Sequence, residues 1–191
     1  MSAKPIATTR SATGIPTGRL AVWWLLASEI VIFGGLLAAY IMHRLGHPEF
    51  GDYASHTNEN IGFLNTCVLL ISSYFAVRAH HCAEHKDGEG AFKWLWACIG
   101  GAVLFLCIKS FEWYTEISHG FVITKNAFWS FYYTAAGIHA SHVIAGAIIM
   151  AIVAKDARKG KELQRVENVG LYWHFVDLVW IFLFPLLYIA K

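Results

Sequence analysis

The chain has 191 residues, 57% of them hydrophobic and 15% charged, with a formal net charge of +2. A soluble domain carries about 25% charged residues, so this composition excludes an ordinary soluble fold. The mild positive charge gives no footing for a nucleic-acid surface, whereas eight Trp, eight Tyr and thirteen Phe suit membrane interfaces and aromatic helix packing.

Residues 1–19 are polar, carry Lys4, Arg10 and Arg19, and read as a short disordered tail. The apolar run after them is too long for a cleaved signal and reads as a membrane anchor. Residues 20–191 read as a single all-α transmembrane domain, a polytopic bundle of five helices at 20–42, 61–81, 92–114, 127–154 and about 169–189. Each span has about 20 residues or slightly more, enough at about 1.5 Å per residue to cross about 30 Å of hydrocarbon. The connections are short and polar, and leave no room for a soluble domain.

Basic residues set the expected orientation. The tail, the second connection (Arg78, Lys86, Lys93) and the fourth (Lys155, Arg158, Lys159, Lys161, Arg165) share one side, and only Arg44, Lys125 and Lys191 fall on the other. The asymmetry predicts a cytoplasmic N-terminus and an outer C-terminus. Cys67, Cys82, Cys98 and Cys107 show no metal-finger spacing and read as packing residues. Small-residue pairs mark expected helix contacts: Gly34 and Gly35 with Ala38 and Ala39 in the first span, Gly137 with Ser141 in the fourth. Gly100 and Gly101 interrupt the third.

Polar groups inside the spans need a partner or a role. Glu29 lies roughly 14 Å into the first span by helical rise, close to mid-membrane, so its carboxyl must pair, reach water or stay protonated. Either a structural hydrogen bond or a proton-handling role fits it. His139 and His142 are three apart in the fourth span; with His174 they read either as neutral imidazoles bonded between helices or as a metal or haem site. His174 and Asp177 sit one turn apart in the stretch LYWHFVDLVWIFL. Lys109 and Glu112, three apart near the end of the third span, read as a structural ion pair whose lysine can snorkel outward. Asn65, Thr66, Ser72 and Ser73 are expected to donate or accept between helices. Arg78, His80 and His81 close the second span where basic groups meet lipid phosphates, and are lipid-binding candidates.

Taken together, WWLLASEIVIFGG around Glu29, LNTCVLLISS at 64–73, KSFEWY at 109–114, GIHASHVIAG at 137–146 and YWHFVDLVW at 172–180 resemble subunit III of the haem-copper terminal oxidases. The likeness covers nearly the whole chain from the first span onward, and it is the order and helix spacing of the five stretches that make it specific. It implies an accessory subunit of a proton-pumping cytochrome c oxidase, in a bacterial cytoplasmic membrane, with no catalytic residue, metal or redox centre of its own. Haems and copper belong to partner subunits. Subunit I is the expected direct partner, with subunit II and other chains in the same complex, and phospholipids are the expected bound molecules. The implied role is support of proton uptake and of stability over many turnovers. Five spans resemble the short bacterial form that lacks the first two helices of the longest members.

By matching motif, Glu29 corresponds to the intramembrane carboxylate of the cytochrome c oxidase branch, His139 and His142 to an HxxH, and His174 and Asp177 to the last-span motif. The quinol-oxidase branch more often has Asp at the position of Glu29, which leans the expectation towards cytochrome c as donor. Rival readings are a quinol-oxidase subunit III, the homologous accessory subunit beside nitric oxide reductases, a small proton transporter, and a membrane metal or haem enzyme. The main reading expects Glu29 to bond to an imidazole, His142 above all.

Overall fold

The computed structural model describes residues 17–190; of the expected tail, 1–19, residues 1–16 lie outside them and 17–19 form the first turn of a helix. Helices α1 (Thr17–Gly46), α2 (Phe50–Ala54), α3 (Glu59–Glu84), α4 (Gly88–Ser118), α5 (Ala127–Arg158) and α6 (Gln164–Phe184) are followed by a π-helical turn, Pro185–Ile189. All but α2 contribute to spans: among the described residues, five helices are long and apolar enough to cross a membrane, the last running Gln164–Ile189 through the turn. The expected all-α bundle of five spans is therefore what the chain forms.

Every helix extends past its apolar run, because backbone hydrogen bonding continues into polar residues until a cap ends it. Asn58 Oδ1 accepts from the amides of Asn60 and Ile61 at the start of α3. Asp87 Oδ1 accepts from Gly90 before α4, and Asn126 Oδ1 from Trp129 before α5. At the other end Pro185 has no amide hydrogen to continue α6. The chain widens there into the π turn, closed by the Ala190 amide donating to the Pro185 carbonyl at 2.8 Å.

α6 sits at the centre, packed on α3, α5 and α1, while α3 packs along α4 and α4 along α5. The core is aromatic: Trp129, Trp173, Trp180, Tyr132, Tyr188, Phe105 and Phe128 are all fully enclosed. Glycines permit close approaches between helices, Gly101 and Gly88 among them. A Cβ on Gly101 would lie 2.7 Å from Ser72 Cβ, which is where α4 meets α3, and one on Gly88 would lie 2.2 Å from the Ala157 carbonyl oxygen.

α1 is attached differently. Its buried stripe is narrow, Leu26, Glu29, Phe33 and Tyr40, while Trp23, Trp24, Ile30, Val31 and Met42 face outward. Gly34 and Gly35, expected at a helix contact, have nothing within 4 Å of where a Cβ would stand. Within this chain that expectation fails, because the two glycines lie beside the buried stripe and no helix covers them. In α5, Gly137 meets only the edge of Trp113 at 4.0 Å, and Ser141 is exposed with its hydroxyl donated to its own helix at Ile138. The short α2 falls in a connection that reads as merely polar, yet it buries Phe50 and Ala54 against the bundle.

Candidate functional site

Three polar clasps hold α1. Arg19 reaches Glu167 of α6 at 2.7 Å, with both side chains partly exposed. About ten residues on, roughly 15 Å along the axis, Glu29 Oε2 lies 3.0 Å from His142 Nε2 of α5. At the far end the Tyr40 hydroxyl donates to the Leu186 carbonyl at 2.9 Å, and Arg44 donates to the Ala190 carbonyl at 2.7 Å.

The Glu29–His142 pair is the expected one, and its hydrogens can be counted. His142 Nδ1 lies 2.8 Å from the Ile138 carbonyl, which only accepts, so Nδ1 carries a hydrogen. Nε2 is then the ring nitrogen left to face Oε2. The contact is close in distance but poorly aligned, leaving Oε2 without a well-directed hydrogen bond. Phe33 stands edge-on to the imidazole at 5.4 Å and shields it. Glu29 itself is 7% exposed.

His139 turns to other neighbours. Its ring lies between Phe105 of α4, at 5.6 Å, and Trp180 of α6, at 5.1 Å. It is fully enclosed, and neither ring nitrogen has a hydrogen-bond partner. His174 Nδ1 meets Ser73 Oγ of α3 at 2.6 Å. The three histidines that read as a possible metal site therefore address different neighbours: His142 meets α1, His174 meets α3, and His139 lies between α4 and α6. Among the described residues no group of three or more His, Cys, Asp or Glu is placed to hold a metal ion. Asp177 is buried one turn beyond His174, with the Ser73 hydroxyl as its polar neighbour.

The hydroxyls of α3 do bridge helices. Ser72 Oγ accepts from Trp173 Nε1 at 3.1 Å and Thr66 Oγ1 from Trp180 Nε1 at 3.1 Å. Asn65 is the exception, fully buried with neither amide atom bonded.

Lys109 and Glu112 pair at 2.9 Å, each side chain 2% exposed. Outward snorkelling is thereby corrected: the ammonium turns into the bundle, because Tyr132 and Tyr188 both accept from it there. The rings of Trp113, Tyr132, Trp180 and Tyr188 surround Nζ at 4.5–5.7 Å from their centroids, so cation–π attraction replaces part of the lost hydration. Glu116, which sequence reasoning passed over, completes the group through Tyr132 Oη at 2.9 Å. The spacing Lys109, Glu112, Glu116 places all three on one helix face. Tyr188, 79 residues from Lys109, left no local signal.

At the end rich in basic residues, Arg78 stacks on Trp94 at 5.3 Å and His80 pairs with Glu84 at 3.4 Å, while His81 is exposed. On the same end Arg158 bonds Glu89 at 2.9 Å and Arg165 meets Asp156 at 3.3 Å. A cavity of about 230 Å³ opens between α1, α5 and α6, its surface apolar, lined by Val22, Leu25, Ile149 and Val153 together with Arg165 and Asn168.

Known proteins of similar sequence identify the family. The family described as cytochrome c oxidase subunit III matches residues 8–191. Cytochrome c oxidase subunit 3 of Corynebacterium diphtheriae is 32% identical over 173 residues, 87% of this chain and 84% of that one. The subunit 3 of Bacillus subtilis is 32% identical over 177 residues, 89% and 84% of the two chains. A heme-copper oxidase subunit I+III of Aeropyrum pernix is 28% identical over 184 residues, 90% of this chain and 22% of its own length. With five membrane-crossing helices and a match along nearly its whole length, the chain is a multi-pass membrane protein and belongs to the cytochrome c oxidase subunit III family.

Proposed function

We propose that the chain is the accessory subunit III of a proton-pumping cytochrome c oxidase, packed on subunit I and without a redox centre of its own. The observation that carries this reading is the wiring of the intramembrane polar groups. His142 engages α1, His174 engages α3, and His139 is enclosed between rings of α4 and α6. Such groups tie helices together and converge on no shared ligand position. Haems and copper then belong to partner subunits, subunit II among them. The relative whose name joins subunits I and III in one chain supports direct contact with subunit I.

Phospholipid is the bound molecule that suits this surface. The cavity beside α1 offers an apolar wall for an acyl chain, with Arg165, paired with Asp156 and Glu162, among its lining. Arg78, His80 and His81 supply cationic or hydrogen-bonding groups for headgroup phosphates at the same end. The excess of basic residues supports a cytoplasmic position for that end and for the N-terminus. Glu29 and His142, paired near mid-membrane, give the subunit a group through which it supports proton uptake.

Removing this chain from the purified complex tests the reading. Proton uptake should slow and the active lifetime shorten, with haem spectra unchanged. Altered haem spectra in the depleted complex overturn a purely accessory role.

A further inference from the structure

A second polar site lies at the opposite end of the bundle from the basic residues. Glu112 and Glu116 line a cavity of about 250 Å³ together with His56, Asn58, Thr115 and His119. The cavity leads to the surface through exposed His56 and His119. Beneath it are two carboxylates and one ammonium, all nearly enclosed: Lys109 and Glu112 at 2% exposure and Glu116 at 6%. The groups facing Glu116 are Lys109, Glu112 and His119 from α4, Tyr132 and Tyr133 from α5, Tyr188 from the π turn, and His56 from the α2–α3 connection. With both acids ionised, this interior carries one uncompensated negative charge, an arrangement that proteins avoid by pairing or by neutralising the group.

The hydrogens give an independent count. The three ammonium hydrogens of Lys109 go to Glu112 Oε2, Tyr132 Oη and Tyr188 Oη. Tyr132 has a single hydrogen, yet its oxygen lies 3.1 Å from Glu112 Oε1 and 2.9 Å from Glu116 Oε1. It can donate to only one of them. Tyr133 does not fill the deficit, because its hydroxyl donates to the Phe121 carbonyl at 2.7 Å and stands 3.5 Å from Glu116 Oε2. Two carboxylate oxygens thus face one hydroxyl oxygen with one hydrogen too few. A proton on Glu116 Oε1 supplies it: Glu116 donates to Tyr132, and Tyr132 donates to Glu112. The Tyr132 oxygen has two acceptor positions, one filled by Lys109; Tyr188 Oη, farther away at 3.1 Å, competes with Glu116 for the other.

The proton belongs on Glu116 rather than Glu112, because Glu112 alone receives the ammonium directly. The same proton removes the excess charge. We infer that Glu116 is a proton-binding site at this end of the bundle, neutral in the resting protein, linked through Tyr132 to the Lys109–Glu112 pair and exchanging with water in the adjoining cavity. The site stands apart from Glu29 and His142 and does not rest on the proposed accessory role.

Infrared difference spectroscopy of the full chain, in its purified complex at neutral pH, tests this. The parent should show the carbonyl stretch of a protonated carboxyl that disappears in Glu116→Gln and shifts at once on transfer to D₂O. Glutamine keeps a neutral side chain with a hydrogen to donate, so that variant folds. Tyr132→Phe should move the same band, its acceptor being lost, without removing it. A parent-minus-Glu116→Gln spectrum lacking any protonated-carboxyl band overturns the inference. So does a Glu116 band that appears only after monovalent cations are removed, since a cation would then occupy the site in place of the proton. A band that stays unshifted through prolonged exposure to D₂O overturns the exchange with cavity water.

Discussion

Helices α1 and α6 both cross the membrane and touch each other, but they are held by different means. α6 buries Val169, Tyr172, Trp173, Val176, Val179, Trp180 and Leu183, and its tryptophans donate to hydroxyls of α3. α1 buries one thin stripe and depends on polar clasps at three heights. Lipid competes with any apolar contact on equal terms, so in a membrane attachment comes from close packing and from hydrogen bonds. α6 has both, whereas α1 has mainly the second. The packed centre should therefore respond to changes in volume and charge, and α1 to the loss of single polar atoms.

The heaviest blow to the packed centre is Lys109→Met. It leaves Glu112 with no cation in a place it cannot leave, and breaking a buried pair in this way costs about 3–5 kcal/mol. Unfolding in mixed micelles should show that loss, and Glu112→Gln in the same chain should restore most of it. A loss below about 1 kcal/mol would mean that the aromatic rings, and not the ion pair, hold this layer together.

Next comes Gly101→Ala. The added methyl would stand 2.7 Å from Ser72 Cβ, which no side-chain rotation moves, so α3 and α4 must separate. Shifting α3 strains the bond that Ser72 Oγ accepts from Trp173 Nε1, which ties α6 to the same layer. Overpacking of this kind costs about 1–3 kcal/mol. Unfolding measurements on the variant should show it, with Gly100→Ala, where nothing lies within 4 Å, as the silent control.

Glu29→Ala should act locally. It removes the middle clasp and leaves His142 half-buried without its partner, a cost of about 1–3 kcal/mol, carried by α1 alone. The readout is the labelling rate of Leu26→Cys, buried in the parent, which should rise while the global unfolding midpoint barely moves. Arg19→Ala, in a half-exposed pair, should raise that rate much less, since such pairs are worth about 0–1 kcal/mol. Equal labelling in both variants would break the distinction drawn between the clasps.

The two regions also differ in how far they can be read from sequence. Hydropathy finds all five spans, because the demand for about 20 apolar residues is strong. It misses their ends, which are set by caps such as Asn58, Asp87 and Asn126. Depth along the helix allows Glu29 to pair with His142, both near mid-membrane. The rotation of each helix is not legible: nothing local says that His139 turns towards Trp180 while His142, three residues on, turns to α1. The Lys109 group shows the same limit, since the face shared with Glu116 is visible in the spacing but the tyrosines that make an inward ammonium affordable come from α5 and the π turn. Gly34 and Gly35 mislead for a related reason, as a small-residue pair marks a surface that permits close approach without naming what approaches.

That surface supports the smallest effect and the sharpest use of the comparison. Glycine in a helix is about 0.8–1.0 kcal/mol less favourable than alanine, and at Gly34 and Gly35 nothing in this chain lies where a methyl would go. For the isolated chain, Gly34→Ala with Gly35→Ala should be neutral or slightly stabilising in unfolding experiments. The bulkier Gly34→Leu with Gly35→Leu should also leave the isolated fold intact, because those side chains point away from the stripe that α6 and α5 cover. If the outward face of α1 is where subunit I packs, the leucine pair should sharply reduce co-purification of the other oxidase subunits, and the alanine pair should reduce it less. Unchanged recovery of the complex with both pairs would place lipid, and not a protein partner, against this face.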